Sequence, residues 1–299
     1  MWVLQGLIAA VFLGLYDVFK KTSVNNNGVL PVLFFTVLFN AVICLPFLIG
    51  SRIDPDYFRQ IHFYIPEITA REHGQIFLKS AIVVSSWILS FFAIKHLPLT
   101  IVAPIRATGP LWTLLGAIII FHEQLNTLQW IGIVTTLLFF YFFSTAGKLE
   151  GIVFRSNKWF YFLILGTLLS VSSGLYDKYI IRAVDRLSVQ VWFSLYQVPI
   201  MSLVMLTTWL PKRRKFPAFQ WRWSIPLISV ALILSDYLYF YAVSRPESLI
   251  SILSALRRGG VLIAFAFGAF LFKEKNIKTK ALYLIGILSG IVMIALGSV

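Results

Sequence analysis

Charge is what this 299-residue chain lacks: only 13% of it is Asp, Glu, Lys or Arg, about half the share of an ordinary soluble domain. So few charges cannot cover a soluble surface, which speaks against a cytoplasmic globular enzyme. Cys44 is the only cysteine and sits inside an apolar run, so a disulfide scaffold is excluded and the redox compartment is left open. Acidic residues are scarce too, 12 against 26 basic ones, for a formal net charge of +14. In a soluble protein that excess points to nucleic acid. Here most bases lie in short gaps between apolar stretches, where they fix membrane topology instead, and no nucleic-acid partner is expected. What is abundant is apolar surface, with 59% hydrophobic residues and a mean hydropathy of +0.83. The chain reads as an integral membrane protein.

A helix needs about 20 mainly apolar residues to cross a hydrocarbon core of about 30 Å. Ten stretches fit: 2–19, 29–50, 76–94, 99–121, 127–147, 158–181, 189–210, 223–243, 248–272 and 278–298. Helices are expected because unpaired backbone groups are too costly in lipid, and the period-2 pattern of barrel strands is not seen. The first stretch has no basic residue before it and no small-residue cleavage site after it, so it reads as an anchor, not a removable signal. Two connections are longer. Segment 51–75, with Arg52, Asp54, Asp56, Arg59, Glu67, Arg71 and Glu72, suits a short amphipathic helix along the interface. Segment 211–222 is a basic turn with Trp221 and, just beyond it, Trp223 as interface anchors.

The second half echoes the first. Gly14-Leu15-Tyr16-Asp17 recurs as Gly174-Leu175-Tyr176-Asp177, and Ser90-Phe91-Phe92-Ala93 resembles Tyr239-Phe240-Tyr241-Ala242. Arg106, Gly109, Phe121 and Glu123 recur as Arg257, Gly260, Phe272 and Glu274, each offset by 151 residues, and Ile131-Gly132-Ile133 pairs with Ile285-Gly286-Ile287. The ordered set predicts duplication of a five-helix unit, 1–147 followed by 148–299. Five is odd, so the second unit must enter the membrane inverted. The expected fold is all-α, ten transmembrane helices as two inverted five-helix repeats. Two such halves rock between inward- and outward-open states of comparable energy, which makes the pattern one of secondary transporters.

Ten helices in two units, with an acid closing the fourth and ninth (Phe121-His122-Glu123 and Phe272-Lys273-Glu274), resemble the drug/metabolite transporter superfamily, its EamA-type branch above all. The resemblance implies an alternating-access carrier with a central cavity and names no single substrate. The proline usual in the fourth and ninth helices of that family is present as Pro104, whereas the ninth carries Arg257-Arg258 instead.

Charges inside a span cost about 2.5–3.5 kcal/mol on insertion scales. Arg106 follows Pro98 by eight residues, which at about 1.5 Å per residue puts it about 12 Å in from one end. Arg257 and Arg258 follow Glu247 by ten and eleven residues, about 15 Å deep by the same rise. Asp236 is near the middle of the eighth stretch. Three arginines against one mid-membrane acid predict an anion site, because guanidinium keeps its charge and grips phosphate or carboxylate bidentately. The arrangement is similar to the plastid triose-phosphate translocators of the same superfamily, where basic residues on the fourth and ninth helices hold the substrate phosphate. Substrate-binding candidates are therefore Arg106, Arg257, Arg258 and Asp236. The bland alternative is that Asp236 and the arginines only pair with one another.

Asp17 and Asp177 lie near helix ends, with lysines close by, which favours an interfacial structural role; proton coupling or gating is the sharper reading. Glu123 and Glu274 are expected to define helix ends. His62, His73, His96 and His122 have no ligand spacing, so no metal or other cofactor is expected. Trp87, Tyr237, Tyr239 and Tyr241 are candidates for a cavity wall, with packing favoured for most. An intramembrane aspartyl enzyme is the rival class, but inverted repeats would place Asp17 and Asp177 at opposite ends, and no H-E-x-x-H, G-x-S-x-G or P-loop motif is present. The expected partners are a small solute and the bilayer, with protons or a counter-solute as the open question of coupling and oligomeric state undefined. A rival cargo is an amino acid or an amphipathic drug-like compound. Basic residues number fifteen in the odd-numbered connections and eight in the even-numbered ones, which places both termini outside; the family resemblance implies the reverse. Short loops suit a bacterial inner membrane.

Overall fold

Long apolar runs satisfy their backbone groups within their own turns, and no described residue lies in a strand. The computed structural model describes residues 1–96, 105–106, 108–145, 158–213, 217–260, 263 and 277–297. The helices are α1 (Trp2–Val24), α2 (Val29–Ile53), α3 (Pro55–Gln60), α4 (Ala70–His96), α5 (Gly109–Phe121), α6 (Thr127–Thr145), α7 (Lys158–Ile181), α8 (Arg186–Val204), α9 (Ser224–Val243), α10 (Ile250–Leu256) and α11 (Ile277–Leu296). A π turn, Met205–Trp209, continues α8, and a 3-10 turn, Arg257–Gly259, continues α10. Among the described residues, five helices are long and apolar enough to cross a membrane: α1, α2, α7, α8 with its π turn, and α9. α5 and large parts of α6 and α11 form shorter apolar helices. The start of the expected fourth span, with Pro104, and most of the second half of the ninth lie outside the described residues, as does Glu274 beyond it.

Local chemistry sets several helix starts. Asp185 caps α8 by accepting from the Leu187 and Ser188 N–H groups at 2.9 Å each. Thr69 and Glu72 form a reciprocal capping box at α4: the Thr69 N–H donates to Glu72 Oε2 at 2.6 Å, and the Glu72 N–H donates to the Thr69 hydroxyl at 3.3 Å. Those bonds from Thr69 hold the Glu72 carboxyl below its ordinary range. The amphipathic helix expected over 51–75 shrinks to α3. Beyond it the Ile65 N–H donates to Ser51 Oγ at 3.0 Å, and the Ile65 carbonyl accepts from Arg52 at 3.1 Å. Side chains at the end of α2 thus take up backbone groups a longer helix would have used, and Ile65 is buried beside Cys44, Leu187 and Val191.

Packing follows a paired scheme. The most extensive contacts join α1 to α9, α4 to α7, α2 to α8 and α6 to α11. α5 packs on α7, and α10 with its 3-10 turn packs on α1 and on α5. Helix ends are tied across the bundle: Ser23 near the end of α1 bonds Ser224 at the start of α9 at 2.6 Å, and Asn126 before α6 donates to the Gly297 carbonyl after α11 at 2.6 Å. Gly132 and Gly290 let α6 and α11 meet closely, since a Cβ on Gly132 would lie 2.7 Å from the Gly290 carbonyl oxygen. These glycines are thus used within one chain.

Lys79 and Lys178, which are among the eight basic residues of the even-numbered connections and their flanks, are buried instead. Each has found a carboxylate far along the chain, Lys79 that of Asp177 on α7 and Lys178 that of Glu123 in the segment after α5, which makes the interior position tolerable. Lys20 likewise lines an internal cavity. The topology signal in the basic residues therefore rests on fewer charges than the bare sequence suggests.

Candidate functional site

A cavity of about 260 Å³ lies between α1, α4, α5, α7, α9 and α10, with Arg106 just ahead of α5 and Phe193 of α8 also in its wall. Each helix contributes one stripe at three- and four-residue spacing, as same-face positions on a helix require. On α1 the stripe is Leu13, Tyr16, Asp17 and Lys20; on α4 it is Lys79, Val83, Ser86 with Trp87, and Ser90. α7 adds small and hydroxylated side chains above Asp177, which leaves room for a solute.

All six candidates from the sequence, Arg106, Arg257, Arg258, Asp236, Asp17 and Asp177, line this one cavity. They are not equivalent. Asp177 is buried and ion-paired with Lys79, whose ammonium also lies 4.3 Å from the Phe193 ring centroid and 5.0 Å from that of Phe240. The expectation of an interfacial Asp177 is thereby corrected: although four residues from the end of α7, it is buried, and Lys79 on α4 pairs with it. Asp17 sits exposed near the other end of the cavity, as does Arg106. The two aspartates do not form a dyad.

Arg257 lies 3.8 Å from Asp236, and its guanidinium stacks 4.2 Å from the Tyr239 ring centroid. Arg106 and Arg258 have no carboxylate within ion-pair distance among the described residues, and Arg258 Nε is buried without a hydrogen-bond partner. Five basic and three acidic side chains line the cavity in all, so its field is positive. Trp87 and Tyr239 belong to the wall, whereas Tyr237 and Tyr241 flank Arg186 outside it, at 5.2 and 4.3 Å.

The Asp177 end is sealed by a second buried cluster. Glu123 accepts from Lys178 Nζ at 2.7 Å, from the Ile250 N–H at 2.7 Å and from the Ser251 N–H at 3.2 Å; Lys178 also donates to the Ser248 carbonyl at 2.7 Å. Glu123 was expected to define a helix end, and it does so for α10 rather than for α5, which precedes it. An N-terminus has unpaired N–H groups and a partial positive charge, so a carboxylate there satisfies both.

Comparison with known proteins gives a family likeness. Residues 1–145, just under half of the chain, match the model of the EamA-like transporter family. A crystal structure of another protein, 12% identical, superposes on 99% of this chain and 98% of its own with a TM-score of 0.73, a likeness of fold alone. No curated protein matches the chain. That likeness and the apolar helices together support a multi-pass integral membrane protein.

Lys79 and Lys20 are the charged cavity residues that sequence reading missed. Lys79 had a visible signal, since it falls inside the apolar stretch 76–94 and a charge there needs a partner. Asp177, read from the sequence as interfacial, is that partner, but nothing in one dimension brings α4 to α7.

Proposed function

We propose that this protein is a secondary transporter that moves a small organic anion, a phosphorylated metabolite or a carboxylate, by alternating access. The observation that carries the reading is Arg106 and Arg258 facing the cavity with no carboxylate partner among the described residues. Guanidinium groups in a low-dielectric chamber stay charged and attract a planar oxyanion strongly. Alternating access is supported by the paired packing. If 1–147 and 148–299 are inverted repeats, α1 on α9 is the counterpart of α7 on α4, and α5 on α7 that of α10 on α1. The cavity wall draws on the same three members of each half, α1, α4 and α5 against α7, α9 and α10. One end is sealed by the Glu123 cluster while Asp17 and Arg106 are exposed toward the other, as a carrier open to one side requires.

A second reading has an observation of its own: Asp17, Asp177 and Asp236 also line the cavity, so an amino acid would find a cation for its carboxylate and an acid or aromatic face for its ammonium. The deciding experiment is a thermal-shift screen of purified protein with sugar phosphates, carboxylates, amino acids and lipophilic cations, alongside Arg106→Ala and Arg257→Ala. A ligand at a hundred times its dissociation constant stabilises the fold by about 2.7 kcal/mol. Stabilisation by an anion that is lost in both variants supports the anion carrier. Stabilisation by amino acids or cations that survives both variants overturns it.

A further inference from the structure

We infer, resting on the anion reading above, that Asp236 is a built-in counter-anion for Arg257: it compensates the guanidinium while the site is empty and gives way to the oxyanion of the solute.

The two ion pairs in the cavity differ in kind. Lys79 and Asp177 are in hydrogen-bond contact, buried, and boxed by Phe193 and Phe240. Arg257 Nη2 and Asp236 Oδ1 are 3.8 Å apart, beyond hydrogen-bond distance, with the side chains 21% and 17% exposed. This second pair attracts by charge without committing donor to acceptor. The Tyr239 ring meanwhile lies 4.2 Å from the guanidinium carbon and helps to hold the group in place without supplying a counter-charge. Arg257 is thus held and neutralised, but not used up.

The neighbours make the exchange reversible. Lys79 and Asp177 are the other charges bearing on Asp236. When an anion takes Arg257, the released carboxylate stays beside the Lys79–Asp177 pair in a wall lined by polar side chains, not alone in an apolar one. When the anion leaves, Asp236 restores the balance. A guanidinium closed inside a membrane protein without compensation is costly. Asp236 therefore lowers the affinity for the anion and lets the empty carrier close and return.

The test uses purified protein in proteoliposomes, with inorganic phosphate and succinate as probes. Binding is read by titrated thermal shift, and transport as net uptake into unloaded vesicles against exchange into vesicles preloaded with the same anion. Asp236→Asn is expected to bind the responsive probe about tenfold more tightly, since a competing charge is gone. Its net uptake should fall by a similar factor while exchange persists. Asp236→Glu, whose longer side chain closes the gap to Arg257, is expected to shift affinity the other way and to keep net uptake; it also stands as the decisive variant if the Asn protein does not fold. Unchanged affinity, or a shift in the same direction in both variants, overturns the inference while the anion reading stands. Binding of both probes that ignores Arg106→Ala and Arg257→Ala overturns the anion reading and this inference with it.

Discussion

Gly14 on α1 and Gly260, just after the 3-10 turn that continues α10, meet backbone to backbone: a Cβ on Gly14 would lie 2.4 Å from the Gly260 carbonyl oxygen and 2.6 Å from the Ile263 Cβ. Their counterparts by repeat offset, Gly174 on α7 and Gly109 on α5, have nothing nearer than 3.9 Å among the described residues. One crossing is closed and the other is loose. Gly14→Ala should therefore destabilise the protein by about 1–3 kcal/mol, because backbone on both sides must move. Gly174→Ala should be neutral or stabilising by up to about 1 kcal/mol through helix propensity. Thermal unfolding of the two variants in detergent separates them, and equal losses would contradict the asymmetry.

The Glu123–Lys178 cluster has a steeper dependence. Both side chains are buried, so Glu123→Gln leaves an unpaired ammonium and two N–H groups of α10 short of a charged acceptor. The expected cost is about 3–5 kcal/mol. Adding Lys178→Met to Glu123→Gln should recover part of that loss. A double-mutant cycle on unfolding midpoints reads the coupling directly, and strict additivity would show that the pair does not act as one unit.

Glu72 gives a small pH effect with a definite sign. Its carboxyl is held below the ordinary range by Thr69, so its contribution is present above the unfolded value of about 4.3 and fades as pH falls through the lower folded value. The group is exposed, so screening keeps the effect under about 1 kcal/mol. Unfolding midpoints measured from pH 6 down to pH 3 should drop more in the wild type than in Glu72→Gln. Parallel curves would mean that the capping box contributes nothing.

Cysteines at Asn26 and Gln124, both exposed, test the topology. Asn26 lies just past α1, beside Asn27, which bonds the Gln220 backbone ahead of α9; Gln124 lies next to Glu123, which caps the start of α10. An impermeant thiol reagent should label one from outside sealed vesicles and the other only after permeabilisation, with Cys44 buried and silent. Labelling of both from one face would break the helix count.

The apolar stretches were legible because a membrane helix must be apolar along its whole length. The stretch 158–181 coincides with α7, and 223–243 differs from α9 by one residue. The arginines were legible too, since a charge in an apolar run stands out. The end of α2 and segment 61–69 were not, because Ser51 and Arg52 reach backbone groups more than ten residues away.

Sequence by itself determined that this chain is helical, multi-pass and rich in buried positive charge, since each of these depends on composition along a short run. Tertiary structure decided which charges meet. Lys79 could be a loop cation or a buried one until α4 packs on α7 and brings it to Asp177, and Glu123 could end α5 or cap α10 until those helices are placed side by side. The physical reason is that the cost of a buried charge is local, whereas the partner that offsets it is far away in sequence: 98 residues separate Lys79 from Asp177, and 55 separate Glu123 from Lys178.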